Sequence, residues 1–304
     1  MKTCFILNPH SGRGRREARL SQTRRYFEKK MGYFNLIITQ SRDDFTAQTR
    51  QALLNGFDQI VILGGDGSAN AAINGFFENG KPVREDARLV ISKWGTGSDY
   101  YRTVSAGSYI SDWKSLVTEH RVREVDIGEI EFEDGGPKKY FLNLSSVGLS
   151  ALVAQMKNRN PRWVPASLSY IVPAVGALLR YRSPKMNVTI DSVSRSAEVM
   201  AIFIAKGIYA GGGMKFGGGV DVDDGFFDVK LFEHMNVPKG LRRLPRLYQG
   251  RFSGIEEIHS YRAREIRVES EAAVPVECDG EVYGKTGVTI RLLPKRLRVC
   301  WPQE

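Results

Sequence analysis

Cysteine is scarce: Cys4, Cys278 and Cys300 are the only three in 304 residues, and none sits in a CxxC pair. A disulfide framework and a zinc finger are thereby excluded, and a reducing cytoplasmic location is the natural expectation. Long apolar runs are missing as well. Only residues 4–7 are apolar before His10 and a cluster of arginines, too few for a secretory signal. The longest uncharged stretch, 163–179 (WVPASLSYIVPAVGALL), carries Pro165 and Pro173 and falls short of the ~20 residues that a straight spanning helix needs. It reads as a packed helix flanked by basic residues, able to touch a bilayer interface. No GxxxxGK[ST] motif occurs, which excludes a Walker-type NTPase, and the first glycine loop does not read GxGxxG, which disfavours a standard dinucleotide fold.

Acidic residues are absent from two segments. Residues 157–185 hold six Lys/Arg and residues 238–251 hold five, with no Asp or Glu in either; the first thirty residues hold nine against Glu17 and Glu28. The net charge of +10 is therefore concentrated in patches. Such patches suit phosphate, whether on a nucleotide, a nucleic acid or the anionic cytoplasmic face of a membrane. No RNP motif, zinc finger or helix-turn-helix signature is present, so nucleic acid is not the expected partner.

What is there is a soluble globular composition, 42% apolar and 26% charged, in a chain long enough for two domains. Through about residue 121, short apolar runs alternate with amphipathic ones. Strands are expected at 3–7, 35–39, 59–63 and 88–92, and helices at 17–30, 43–54 and 68–79. That alternation predicts a parallel sheet with right-handed crossovers, a Rossmann-like α/β domain. From residue 122 to the end, short alternating segments at 122–130, 140–144, 197–204, 226–232, 265–268 and 288–292 are separated by Gly, Pro and Asp. They predict an antiparallel β-rich second domain, with 133–136 as a hairpin loop.

Three loops follow three of the first-domain strands: Asn8-Pro9-His10-Ser11-Gly12-Arg13-Gly14-Arg15, Gly64-Gly65-Asp66-Gly67-Ser68 and Gly95-Thr96-Gly97-Ser98-Asp99. Glycines let backbone N–H groups approach an anion, arginines add charge, and a helix starting at the second loop turns its positive end toward the same edge. Ligands of open α/β sheets sit at that edge. Asp66 is the odd member, because a carboxylate among phosphate-binding glycines must bind metal, accept a proton or hold a hydroxyl. As a bland alternative it caps the helix.

The segments FILNPHSGRGR, VILGGDGSANAAINGF, WGTGSDYYR, YAGGGMKFGGGVDVDDGFFDVKLFE and VPVECDGEVYG resemble, in order, the signature segments of the diacylglycerol kinase catalytic-domain family. That family includes bacterial lipid kinases, sphingosine kinases and ceramide kinases. The resemblance runs from Asn8 to about Pro294. It implies an active site in an interdomain cleft, and an ATP- and Mg²⁺-dependent transfer of the γ-phosphate to a lipid hydroxyl. Asn8, Ser11, Gly12 and Arg13 would line the nucleotide, with Gly64, Gly65, Asp66, Gly67 and Ser68 as the binding loop and Gly95, Thr96 and Ser98 facing it. Glu281 would be the general base, with Asp66 as second choice and Asp279 beside it. Asp224 would hold a structural metal, helped by main-chain carbonyls around Asp221 and Phe226; on their residues alone, 224–225 is a tight turn and 279–280 a hairpin.

This chain departs from the family pattern at Ser98, where a longer amide is usual, which leaves both adenine contacts and lipid type open. The acceptor expected is diacylglycerol-like or sphingoid, ceramide included. It is met by a protein held peripherally on the inner face of the membrane through the basic patches and Trp163, Leu241, Leu244, Leu247 and Tyr248. A homodimer stays open. The rivals are a NAD kinase-like enzyme, which shares a GGDG loop, and a degenerate relative that binds nucleotide and membrane without turnover.

Overall fold

A computed structural model describes residues 1–11, 16–32, 34–95, 98–105, 113–158, 166–216 and 221–303, with backbone alone at 16, 158 and 166–171. The chain divides into two compact units, Met1–Val125 with Arg296–Glu304, and Asp126–Lys295. The first contains β1 (Thr3–Leu7), α1 (Arg16–Met31), β2 (Asn35–Ile38), α2 (Arg42–Leu54), β3 (Gln59–Leu63), α3 (Asp66–Phe76), a small hairpin of β4 (Phe77–Glu78) and β5 (Lys81–Pro82), β6 (Arg88–Ile91), α4 (Asp99–Val104) and α5 (Ser115–Thr118).

Strands β2, β1, β3 and β6 lie side by side in that order, all parallel, with Phe5 opposite Leu36 and Val61, and Val61 opposite Val90. Ile60, Val61, Ile62 and Leu63 are essentially sealed from solvent, as expected of a central strand covered on both faces. The chain leaves β1 for β2 on one side and returns to β3 on the other. Right-handed crossovers then put α2 and α3 on one face and α1 on the opposite one. Gly75 lets α3 lie close on α2, since a Cβ there would stand 2.6 Å from the Thr46 carbonyl oxygen. On the α1 face, Phe27 meets Phe5 at 4.7 Å and Trp113 at 6.0 Å, edge-rich packing that anchors the helix.

The second unit begins within β7 (Arg121–Phe132) and continues through β8 (Lys139–Phe141), β9 (Leu144–Gly148), α6 (Leu149–Asn158), α7 (Ala166–Arg180), β10 (Lys185–Ile190), β11 (Val193–Ala205), β12 (Tyr209–Ala210), β13 (Met214–Lys215), β14 (Phe227–Glu233), α8 (Val237–Tyr248), β15 (Ile258–Ala263), β16 (Glu265–Glu269), β17 (Pro275–Cys278), β18 (Glu281–Lys285) and β19 (Val288–Trp301). Its strands pair antiparallel. One layer runs β18-β17-β9-β11-β14-β15, and another joins β10, β16 and the start of β19. The first half of β11 pairs with β10 and the second half with β9 and β14; a register shift between Val199 and Ala201 marks the change. Between the layers lie Met186, Val188, Val147, Ile202, Val229, Ile266 and Ile290.

The parallel α/β and antiparallel β-rich architectures are as expected, but the boundary is not. Residues 296–304, read as the tail of the second domain, belong to the first unit, because Arg298 and Val299 of β19 pair in parallel with Arg88 and Leu89 of β6. Helices α6 and α8 also escaped the sequence reading. Pro238 and Pro245 suggest a loop, yet Pro238 occupies the first turn, where its missing N–H costs nothing. Asn236 caps that turn by accepting the Lys239 N–H at 3.1 Å.

Gly128 faces Phe141 across β7 and β8, and the ring lies over the bare backbone while stacking on Phe227 at 5.7 Å. A Cβ on Gly128 would fall 2.0 Å from the ring. Gly128→Ala is expected to lower unfolding free energy by about 1–3 kcal/mol, and adding Phe141→Leu to recover part of that loss. Denaturant titration of the single and double variants checks both.

Candidate active site

The carboxyl ends of β1, β3 and β6 are tied to one another by residues of their loops. Asn8 is the hub of the first: its N–H donates to the Leu63 carbonyl at 3.0 Å and its side-chain amide donates to Ser68 Oγ at 3.1 Å. Its Oδ1 accepts the His10 N–H, while Ser11 Oγ donates to the Asn8 carbonyl at 2.8 Å. The β1 and β3 loops are thus joined at the point where the sheet's winding reverses, the place such folds reserve for ligands.

The second tie is steric. A Cβ on Gly95 would stand 2.3 Å from Gly65 Cα, and one on Gly64 would stand 2.3 Å from Ser68 Oγ. Only glycine permits the β3 and β6 loops to touch backbone to backbone. Helix α3 starts at Asp66, so its first-turn N–H groups and positive end face this edge. The Asp66 carboxylate accepts the Tyr100 N–H at 3.3 Å, bracing the start of α3 against the start of α4.

Ser98 was expected to face the nucleotide. Its hydroxyl instead donates to the Gly95 carbonyl at 3.2 Å in a buried, left-handed conformation with φ of 51°. That conformation suits Asn best among side-chain-bearing residues, so Ser98 fills a backbone role as much as a chemical one. Gly12, Arg13 and Thr96, also expected here, lie outside the described residues. Arg19 was missed: from α1 it stacks over the Trp94 ring at 4.4 Å and donates to the Lys93 and Trp94 carbonyls. A single arginine among nine basic residues gives no sequence signal of that task.

In the second unit, Asp279 and Gly280 form the turn between β17 and β18, both at positive φ, as a two-residue hairpin requires. Asp279 Oδ1 accepts the N–H groups of Asn143 and Leu144 at 3.0 Å, and Oδ2 accepts that of Leu142 at 3.1 Å. This carboxylate, expected beside the base as a catalytic group, holds the β8–β9 connection through those three amides. Glu281 follows the turn as the first residue of β18, half-buried.

Glu277 was not singled out in the sequence, where it is one residue of a strand. It is buried; Ser146 Oγ donates to Oε1 at 2.5 Å and the Gly280 N–H donates to Oε2 at 2.7 Å. Burial pushes its carboxyl up to about 8, against the opposing pull of those two hydrogen bonds.

The expected metal ligands do converge, but on a side chain. Lys206 Nζ lies 2.6 Å from the Asp221 carbonyl, 2.8 Å from the Phe226 carbonyl and 2.9 Å from Asp224 Oδ1. Asp126 Oδ2 stands 3.0 Å away, and the lysine is 1% exposed. Asp224, Asp221 and Phe226 thus meet an ammonium at the place where the resemblance in sequence put a metal. The sequence reading missed Lys206 and Asp126 because each lies far along the chain from 221–226.

A glycine-lined edge on a parallel sheet is followed in the chain by an antiparallel unit carrying an Asp-Gly-Glu turn. Residues 2–130 match the model described as the diacylglycerol kinase catalytic domain, and residues 143–301 match the YegS C-terminal NAD kinase beta sandwich-like domain. The chain belongs to this diacylglycerol kinase family. The Bacillus subtilis diacylglycerol kinase is 24% identical over 99% of this chain and 96% of its own. That of Staphylococcus haemolyticus is 22% identical over 100% and 90%. The crystal structure of a diacylglycerol kinase from Bacillus anthracis superposes with a TM-score of 0.72 at 20% identity, covering 99% of this chain and 96% of that one.

Two outcomes are expected. Gly95→Ala should separate the two loops, cost about 1–3 kcal/mol of stability and weaken nucleotide binding at least tenfold by calorimetry, whereas Gly135→Ala on an open hairpin should leave affinity unchanged. For Glu277, the folded state keeps its proton up to about 8 while the unfolded carboxyl loses it near 4.5. Stability from this group is full below 4.5 and is lost as pH rises toward about 8. Glu277→Gln, which mimics the protonated acid, should flatten the fall of Tm over that range; parallel Tm curves for the two proteins would contradict it.

Proposed function

We propose that the protein is an ATP-dependent lipid kinase that transfers the γ-phosphoryl group of Mg-ATP to the hydroxyl of a diacylglycerol-like or sphingoid lipid. The observation that carries the reading is the locked phosphate edge: Asn8 bonded to Ser68, Gly95 against Gly65, and Asp66 bonded to Tyr100. Phosphoryl transfer asks mainly for positioning and neutralisation of charge, and rigid loops at a helix N-terminus supply both. Mg²⁺ bound with ATP would supply charge neutralisation at the transferring phosphate. Arg13 and the amides of 64–68 bind the phosphates, and Glu281 accepts the proton of the lipid hydroxyl, with Asp66 as the second candidate. Asp279 and Glu277 hold the turn from which Glu281 projects.

Among the described residues no helix is long and apolar enough to cross a membrane, so the lipid must be met at a surface. Helix α8 supports peripheral docking on an anionic inner leaflet. Leu241 and Tyr248 are exposed, with Arg242, Arg246 and Arg251 beside them. Lys239 and Arg243 are engaged by Glu257 and add less. Leu247 packs inward and Leu244 is half-buried, while Trp163 lies outside the described residues. On α7, Val172 and Leu179 are exposed apolar neighbours in sequence to the same basic region.

The test is transfer of labelled γ-phosphate into a chloroform-extracted panel of diacylglycerol, monoacylglycerol, ceramide, sphingosine and phosphatidylglycerol, with NAD⁺ assayed in the aqueous phase. Label is expected in one lipid, and Glu281→Gln should lower kcat by 10²–10⁴-fold, roughly the worth of a general base, with ATP affinity kept. If Asp66→Asn has that effect and Glu281→Gln does not, the base is Asp66. Label in NAD⁺ alone moves the acceptor to a dinucleotide, an outcome the NAD kinase-like match of the second unit makes worth including. No label with ATP bound indicates a binding protein. Sedimentation with anionic vesicles at low salt should capture the protein, and Arg242→Glu with Arg246→Glu should release it.

A further inference from the structure

We infer that Lys206 is a built-in replacement for a structural divalent cation, so the second unit of this kinase folds and stays folded without one. The resemblance in sequence assigned an ion to Asp224 and the carbonyls around it. In the structure four oxygens, Asp126 Oδ2, Asp224 Oδ1 and the carbonyls of Asp221 and Phe226, surround one nitrogen at 2.6–3.0 Å. The ammonium's three N–H donors go to Asp224 Oδ1 and the two carbonyls, and Asp126 Oδ2 completes the shell as an ion pair. These are the lengths of charge-assisted contacts to nitrogen, well beyond the ~2.1 Å of magnesium–oxygen bonds.

The cage is also charge-balanced without a metal. Lys206 and Arg262 bring two positive charges to the two carboxylates, Arg262 taking the second oxygen of Asp224. Asp126 has its remaining capacity filled by backbone: Oδ1 accepts the Lys295 N–H and Oδ2 the Gly225 N–H, both at 2.8 Å. A divalent ion could enter only by expelling the ammonium. Lys206 is 1% exposed and its backbone N–H is held by the Asn143 carbonyl at 2.8 Å directly after β11, so its stem has no other course. A lysine serves well as the substitute because its three N–H donors radiate from one point, as an ion's bonds do.

The arrangement joins distant parts of the chain. Asp126 sits in β7, Lys206 at the end of β11, and 221–226 in the approach to β14. The ammonium thus ties β7 and the end of β11 to residues 221–226 before β14.

The experiment uses the full chain without nucleotide. Metal content by plasma mass spectrometry and Tm with and without EDTA are measured first. No stoichiometric divalent ion and an unchanged Tm are expected; a retained equivalent whose removal lowers Tm would overturn the inference, whatever becomes of any variant. Lys206→Gly is then made to open the cage and Lys206→Met to fill it with an uncharged chain. Each leaves Asp126 buried without its counter-charge, so a fall of roughly 10 °C or more is expected in EDTA. Mg²⁺ or Ca²⁺ should restore at least half of the loss in Lys206→Gly and little of it in Lys206→Met. A folded Lys206→Gly variant indifferent to both ions would also overturn it. None of these readouts depends on kinase activity, so the outcome stands apart from the assignment of the acceptor.

Discussion

A backbone N–H stranded where a strand ends must find an acceptor, and in this chain aspartate supplies one at the joints that matter. Asp279 takes three amides of the β8–β9 connection. Asp126 takes Gly225 and Lys295, Asp191 takes Arg264 and Glu265, and Asp58 takes Lys2. An unmet buried amide costs about 1–3 kcal/mol, and one carboxylate has lone pairs enough for several. The turns of the β-rich unit are shaped around these acceptors, including the hairpin that presents Glu281.

The α/β unit solves the same problem in the opposite way at its carboxyl edge. There the loops are built from glycine, and the helix that follows β3 begins at once, so its first-turn amides face this edge. Side chains of this edge bond to one another and to backbone carbonyls: Asn8 to Ser68, Ser98 to Gly95, Arg19 to Lys93 and Trp94. Rigidity of this edge comes from those side chains. Placing a carboxylate, Asp66, at that positive helix end is stabilising in the absence of ligand.

Charge buried in the second unit follows one rule as well. Lys206 is tolerated because two aspartates and two carbonyls meet it, and Glu277 is tolerated because it can hold its proton. Each carries an interaction that a hydrophobic side chain of equal size would not, and each lies next to a turn belonging to the signature segments.

Periodicity made the strands and first two helices of the first unit legible: β1 and β3 are where the apolar runs stand, and α2 ends at Leu54 as expected. Helix α3, by contrast, runs 66–76 rather than 68–79, and the β4–β5 hairpin, α4 and α5 carried no such signal. The three glycine loops were legible because glycine and strand ends are local signals. Helix α8 was not, since its two prolines are breakers by propensity; Pro238 is excused by its place in the first turn, while Pro245 lies inside the helix. Nor was β19, whose fourteen residues pair with β16 at one end and with β6 at the other; its second partner depends on where the chain has already gone. By itself, then, the sequence determined the order of elements, the parallel and antiparallel classes, and the loops that meet phosphate, because those follow from spacing of three to ten residues. Tertiary structure alone decided that Asp279 accepts three amides of the β8–β9 connection, that the Ser98 hydroxyl meets the Gly95 carbonyl, and that the Lys206 ammonium lies among oxygens of Asp126, Asp221, Asp224 and Phe226. Each of those depends on which distant oxygen or amide arrives within about 3 Å, and no local pattern encodes that distance.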